Sequence, residues 1–100
     1  MAQNNVIIAL RPSGVQQSVS YTGVAGVITN AITTGINLVD ISVTTDAYLA
    51  FGIAPTATTS GYLLRAIDGN KTFKIAAGEK VSALQVAAGG ILTVNEMTHG

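Results

Sequence analysis

The chain has 100 residues, 48% of them apolar and only 10% charged, with five acids balancing five bases and no cysteine. That length suits one domain and is short for two, and the missing cysteines exclude a disulfide framework or a thiolate metal site. A formal net charge of zero with so few charged side chains suits a surface that another protein covers, because a dispersed monomer usually keeps a net charge away from zero.

Met1-Ala2-Gln3-Asn4-Asn5 is small and polar and reads as a flexible arm able to order on a neighbour. It lacks the basic and long apolar stretches of a signal peptide, so the expectation is a chain made in a cytoplasm and used without processing. Val6-Ile7-Ile8-Ala9-Leu10 is a near-continuous apolar run. Such a run suits a strand buried on both faces, or one held between the core and a partner. Arg11-Pro12-Ser13-Gly14 is predicted to stop that strand and turn the chain. From Val15 to Tyr21 the residues alternate, with Val15, Gln17, Val19 and Tyr21 on one face, as in a half-solvated antiparallel strand. Val27 to Ile32 fits a strand or a helical turn; its β-branched residues and the flanking glycines favour strand.

Ile36 to Val43 is the longest strand candidate, and its apolar phase slips, which predicts a bulge near Leu38-Val39. A polar turn, Thr44-Thr45-Asp46, then predicts a hairpin with Ala47–Ile53. Ala54 to Gly61 is small, polar and uncharged and reads as an exposed loop. Tyr62 to Ile67 returns to strand character, and Asp68-Gly69-Asn70 is a tight-turn signal. From Lys71 to Met97, three strand-length runs separated by glycine-containing turns predict an antiparallel meander. The tail, 97–100, is polar and predicted to fray. Roughly eight short strands at this spacing predict an all-β antiparallel β-sandwich, jelly-roll-like, spanning 1–100 as a single domain.

Little in the chain carries chemistry. His99, the single histidine, sits beside the terminal glycine, where no rigid shell orients it for catalysis or metal binding. Asp40, Asp46, Asp68, Glu79 and Glu96 are dispersed, and three of them fall at predicted turns, where carboxylates bond backbone amides. No serine has a G-x-S-x-G frame, and Ala87-Ala88-Gly89-Gly90 leads into no helix that would make a phosphate cradle. The expectation is therefore no catalytic, cofactor or metal residues and no enzyme. The bases Arg11, Arg65, Lys71, Lys74 and Lys80 are scattered, which argues against nucleic acid. No apolar run reaches the ~20 residues of a membrane helix. Lys74 and Lys80 flank the Gly78 turn, as a solvated hairpin tip or as an ion-pairing contact with an acidic neighbour. Tyr21, Tyr48 and Tyr62 are candidate sugar-stacking rings, although strand tyrosines more often bury the ring and wet the hydroxyl.

Two segments carry a resemblance. One runs from Thr44-Thr45-Asp46-Ala47-Tyr48-Leu49-Ala50-Phe51-Gly52-Ile53 through Ala54-Pro55-Thr56-Ala57-Thr58. The other runs from Phe73-Lys74-Ile75-Ala76-Ala77-Gly78-Glu79-Lys80 to Val86 and closes with Leu92-Thr93-Val94-Asn95-Glu96-Met97-Thr98. Together they resemble the small capsid decoration or cement proteins of tailed bacteriophages, over most of Asp40 to Thr98. The resemblance implies a β-sandwich or jelly-roll subunit, often dimeric or trimeric, on the capsid surface of a virion. The major capsid protein and other copies of itself would be its partners, with no catalytic residues. On that reading the expected contacts are Ala2, Gln3, Asn4 and Asn5 in the arm, Pro55, Thr56, Thr58 and Thr59 in the loop, Lys74 and Lys80, and the C-terminal tail. The alternative expectation is a carbohydrate-binding or host-adhesion module that uses Tyr48 and Tyr62.

Overall fold

Period-two alternation gives each strand one apolar face, and two such faces stacked together make a sandwich. The computed structural model describes residues 10–99. The expected arm, 1–5, and the rest of the apolar run, 6–9, lie outside the described residues. The strands are β1 (Leu10–Tyr21), β2 (Gly26–Val27), β3 (Leu38–Val43), β4 (Ala47–Gly52), β5 (Tyr62–Leu64), β6 (Lys71–Lys74), β7 (Lys80–Gln85) and β8 (Gly90–His99). A 3-10 turn, Ala66–Asp68, joins β5 to β6. Among the described residues no helix is long and apolar enough to cross a membrane.

The expected all-β sandwich is what forms. One four-stranded sheet has the order β1-β8-β3-β6 and the other β2-β7-β4-β5, with every pair antiparallel. The first half of the chain pairs with the second: β1 with β8, β2 with β7, β3 with β6 and β4 with β5. The chain thus doubles back at the loop after β4 and the double ribbon wraps round a core, which is jelly-roll topology.

The core lies between the sheets. Val39, Ile41, Val43, Leu92, Val94 and Tyr21 face it from the first sheet; Ala47, Leu49, Leu64, Val81, Ala83 and Ile28 face it from the second. Phe51 and Phe73 lie 5.3 Å apart between ring centroids, and Tyr62 meets Phe73 edge-on at 5.4 Å, which closes the β5/β6 flank. The opposite flank is closed by a side-chain amide. Gln17 Nε2 donates to Asn30 O and the Asn30 N–H donates to Gln17 Oε1, each at 2.9 Å.

Several expectations are corrected. Arg11–Gly14 does not turn the chain; β1 runs through it. Pro12 pairs with Met97 and Gln16 with Asn95, so Ser13, Gly14 and Val15 stand opposite Glu96 alone. Gly14, at φ 99°, permits this bulge. Pro12 is tolerated because β1 is an edge strand. The two extra residues preserve parity, so odd-numbered side chains point inward on both sides of the bulge.

No bulge is needed in β3. The strand begins at Leu38, which faces outward opposite Met97 and Lys74, while Val39, Ile41 and Val43 point in. Nor do β3 and β4 form a hairpin, because they belong to different sheets. The Lys71–Met97 meander fails for the same reason, since β7 lies in the sheet opposite β6 and β8. The tail is no frayed end: Met97, Thr98 and His99 pair with Pro12, Arg11 and Leu10.

The turn between β3 and β4 is pinned by Tyr21, whose side chain is 1% exposed. Its hydroxyl donates to Thr45 O and accepts from the Thr45 N–H at 3.2 Å. Thr45 Oγ1 donates to Ala88 O, and the Ile91 N–H donates to Thr44 Oγ1. Gly90 lies within this network. A Cβ there would sit 2.5 Å from Thr45 Oγ1 and 2.6 Å from both Thr44 Oγ1 and the Tyr21 hydroxyl. One network therefore fastens β1, the β3–β4 crossing and the start of β8.

At the other end, Glu96 is buried on the inner face of β8. One carboxylate oxygen accepts from the Thr33 N–H and from Thr33 Oγ1, both at 3.1 Å, and ties down the loop before β3. The other oxygen is buried without a hydrogen-bond partner.

Tyr21→Phe leaves the Thr45 amide and carbonyl short of a partner and is expected to cost about 1–3 kcal/mol. Urea unfolding checks this as a lowered midpoint at unchanged slope, with Tyr48→Phe, whose ring is half-buried on the other face of its sheet, as the small-effect control. Glu96→Ala strands Thr33 and opens a cavity, with an expected loss of roughly 2–4 kcal/mol. Glu96→Gln keeps the acceptor and removes the charge, and should lie within ~1 kcal/mol of the parent protein in the same assay.

Candidate functional site

Register decides which expected contact residues meet. Lys74 ends β6 opposite Leu38, which is itself opposite Met97. Lys80 begins β7 opposite Gly52, the last residue of β4. The Ile75 N–H donates to Asn37 O and the Ile32 N–H to Glu79 O, so the β3–β6 and β2–β7 pairings both extend to the 75–79 turn, through which the chain passes from one sheet to the other at this end. β1 also begins here. Lys74, Lys80 and the start of the loop after β4 therefore lie at one end of the sandwich, with Lys74 on the outer face of the first sheet and Lys80 on the outer face of the second. Ala2, Gln3, Asn4 and Asn5 lie outside the described residues.

The two lysines are not equivalent. Lys74 is exposed on an edge strand, whereas Lys80 is half-buried on an interior one. Glu79, between them in sequence, accepts from the Ala76 N–H at 2.9 Å and so caps the turn. The single ion pair among the described residues is Arg65–Asp68, 3.3 Å apart at the opposite end. Hydrogen bonding from Arg65 holds the Asp68 carboxyl below its ordinary value. That exposed pair contributes at neutral pH, and the contribution fades as pH falls through the depressed value.

The loop from Ala54 to Gly61 is not simply exposed. Pro55 and Ala57 are buried, whereas Thr56, Thr58 and Thr59 are exposed. The Ala57 N–H donates to Ser82 Oγ at 3.0 Å. Ser82 lies on the outer face of β7, opposite Ala50, and is fully covered. The loop therefore folds across the outside of the second sheet. Pro55 contributes to packing, and the three threonines form the loop's outward surface. Proline and alanine inside a run of threonines are the signal that sequence reading passed over.

The three most exposed large aliphatics are at or near strand ends. Val24, Ile53 and Ile67 are 77%, 79% and 86% exposed. Ile53 directly follows β4, beside the Lys80 end. Tyr48 is half-buried on the outer face of the second sheet, opposite Leu84 and Leu63. Tyr62 is opposite Leu49 and points the other way, toward Phe73. The two rings lie on opposite faces of one sheet and do not make one sugar-stacking platform.

Among the described residues no cavity opens, and no group of three His, Cys, Asp or Glu side chains converges on a point. What the arrangement offers is surface: two cations, an aliphatic side chain and a threonine-rich loop on or next to one end. Set against known protein families, curated proteins and solved structures, the chain matches none.

Proposed function

We propose that this chain is a virion structural protein of a tailed bacteriophage that binds the assembled capsid and stabilises it. The observation that carries the reading is one end of a sandwich with few charges that bears Lys74 and Lys80, one on each outer face, with exposed Ile53 and the start of β1 at the same end. Aliphatic contact supplies desolvation, and the rim lysines set approach and register against an acidic partner. The major capsid protein is the partner this reading names.

Physical economy supports it. A particle presents one site many times, so each contact can be weak and the shell still gains from the sum. A small, wall-like unit with little charge packs flat against its neighbours. Compositional pattern and the resemblance of the Thr44–Thr58, Phe73–Val86 and Leu92–Thr98 segments point the same way. No observation favours the sugar-binding alternative, whose two tyrosines are on opposite faces.

Heads purified from the phage that encodes the chain provide the test. The added protein is expected to saturate them at many copies per particle and to delay their rupture on heating. Removing residues 1–5 should lower occupancy several-fold and leave the unfolding midpoint unchanged. Lys74→Gln with Lys80→Gln should weaken binding and flatten its salt dependence. A chain that never associates with heads refutes the proposal, and full occupancy by the truncated protein removes the arm from the contact.

A further inference from the structure

Among the described residues, each sheet ends on strands whose outer main-chain groups lack a ladder partner. Three of these edges are blunted. β2 has 2 residues, β5 has 3, and the 4-residue β6 carries exposed Lys71 and Lys74. The fourth edge, β1, has 12 residues. Its beginning is blunted as well, because Pro12 has no N–H and Ser13–Val15 bulge out of the ladder. Near its finish, a Cβ on Gly26 would lie 2.2 Å from Ser20 O, so the chain entering β2 covers that carbonyl.

Between these lies Gln16–Val19. It is uncharged and held in unbroken register with Asn95–Leu92 of β8. Among the described residues its outer edge has no main-chain partner.

We propose that Gln16–Val19 is a self-pairing edge, to which a second copy of this chain adds its own β1, antiparallel across a two-fold axis. A row of alternating N–H and C=O groups takes only another extended chain. The copy fits because the pairing brings no like charges together: the single charge of β1, Arg11, lies near its far end. Gln16 and Ser18 point to the outer face, and small or neutral side chains then oppose each other across the axis. Gln17 points inward and is already held by Asn30, so nothing has to rearrange. The span is short, which makes the association reversible rather than permanent. It joins the two copies' β1-β8-β3-β6 sheets into one continuous sheet. The contact is on the flank, apart from the end that carries Lys74 and Lys80, and it does not depend on the virion reading.

Sedimentation velocity over a wide concentration range tests the proposal on the full chain. The expected result is reversible monomer–dimer exchange. Gln16→Lys with Ser18→Lys places like charges opposite each other whether the axis passes through position 17 or 18, and should weaken dimerisation by about tenfold or more. Thr72→Lys adds charge to the outer face of β6 and should leave dimerisation unchanged. The exposed sites make misfolding a minor concern, and thermal unfolding of each variant verifies the fold. The chain has no cysteine. Ser18→Cys alone, or Gln16→Cys mixed with Ser18→Cys, should therefore give a covalent dimer on mild oxidation, and Thr72→Cys should not. A parent protein that stays monomeric throughout, or a dimer indifferent to the lysines at 16 and 18, overturns the proposal. A monomer whose β1 edge instead protects against hydrogen exchange only when heads are added overturns it too, in favour of a capsid strand as occupant.

Discussion

The fold depends on the pairing of its first half with its second. β4 and β5 are the neighbours in sequence that also pair, across the loop 53–61, and every other ladder among the described residues joins strands distant in the chain. Most connections therefore cross from one sheet to the other. No local turn sets the register of β1 on β8 or of β3 on β6. That register is held by the inward residues, because a slip of one position would turn every buried side chain to solvent. Such non-local order is slow to form, which gives the two polar fasteners their importance. Tyr21 locks one end across three strands and Glu96 locks the loop at the other.

Those fasteners explain what could be read from residues and what could not. Alternation locates β1 from Val15 to Tyr21, and it locates β4, β6, β7 and the Ile91–Val94 part of β8, because period two is written directly in the side chains. It did not tell which sheet each strand would join. Thr44-Thr45-Asp46 looks like a hairpin turn by composition, yet it carries the chain between sheets. The reason is the buried Tyr21 hydroxyl, a partner twenty-odd residues away. By sequence Glu96 adjoins a polar tail, where a carboxylate is ordinarily solvated. Its burial depends on Thr33, which no local pattern links to it.

Surface features were legible in kind and not in place. By sequence Lys74 and Lys80 flank one turn, and register keeps them at one end but on the outer faces of different sheets. Pro55 shares its loop with the threonines in sequence, and packing separates them: the proline turns inward and the threonines outward. Tyr48 and Tyr62 looked interchangeable by residue type, and the parity of β4 against β5 sets them back to back. In each case identity was visible and orientation had to wait for the ladder partners.

The closing of β1 on β8 at Leu10 and His99 also fixes how the molecule bears load. Tension drawn through those two neighbours opens the ribbon like a zip, one rung at a time, and meets little resistance. Tension drawn between that end and the far turns instead slides whole ladders past each other, so that many rungs must yield together. The direction of pull decides whether this small sandwich is weak or tough.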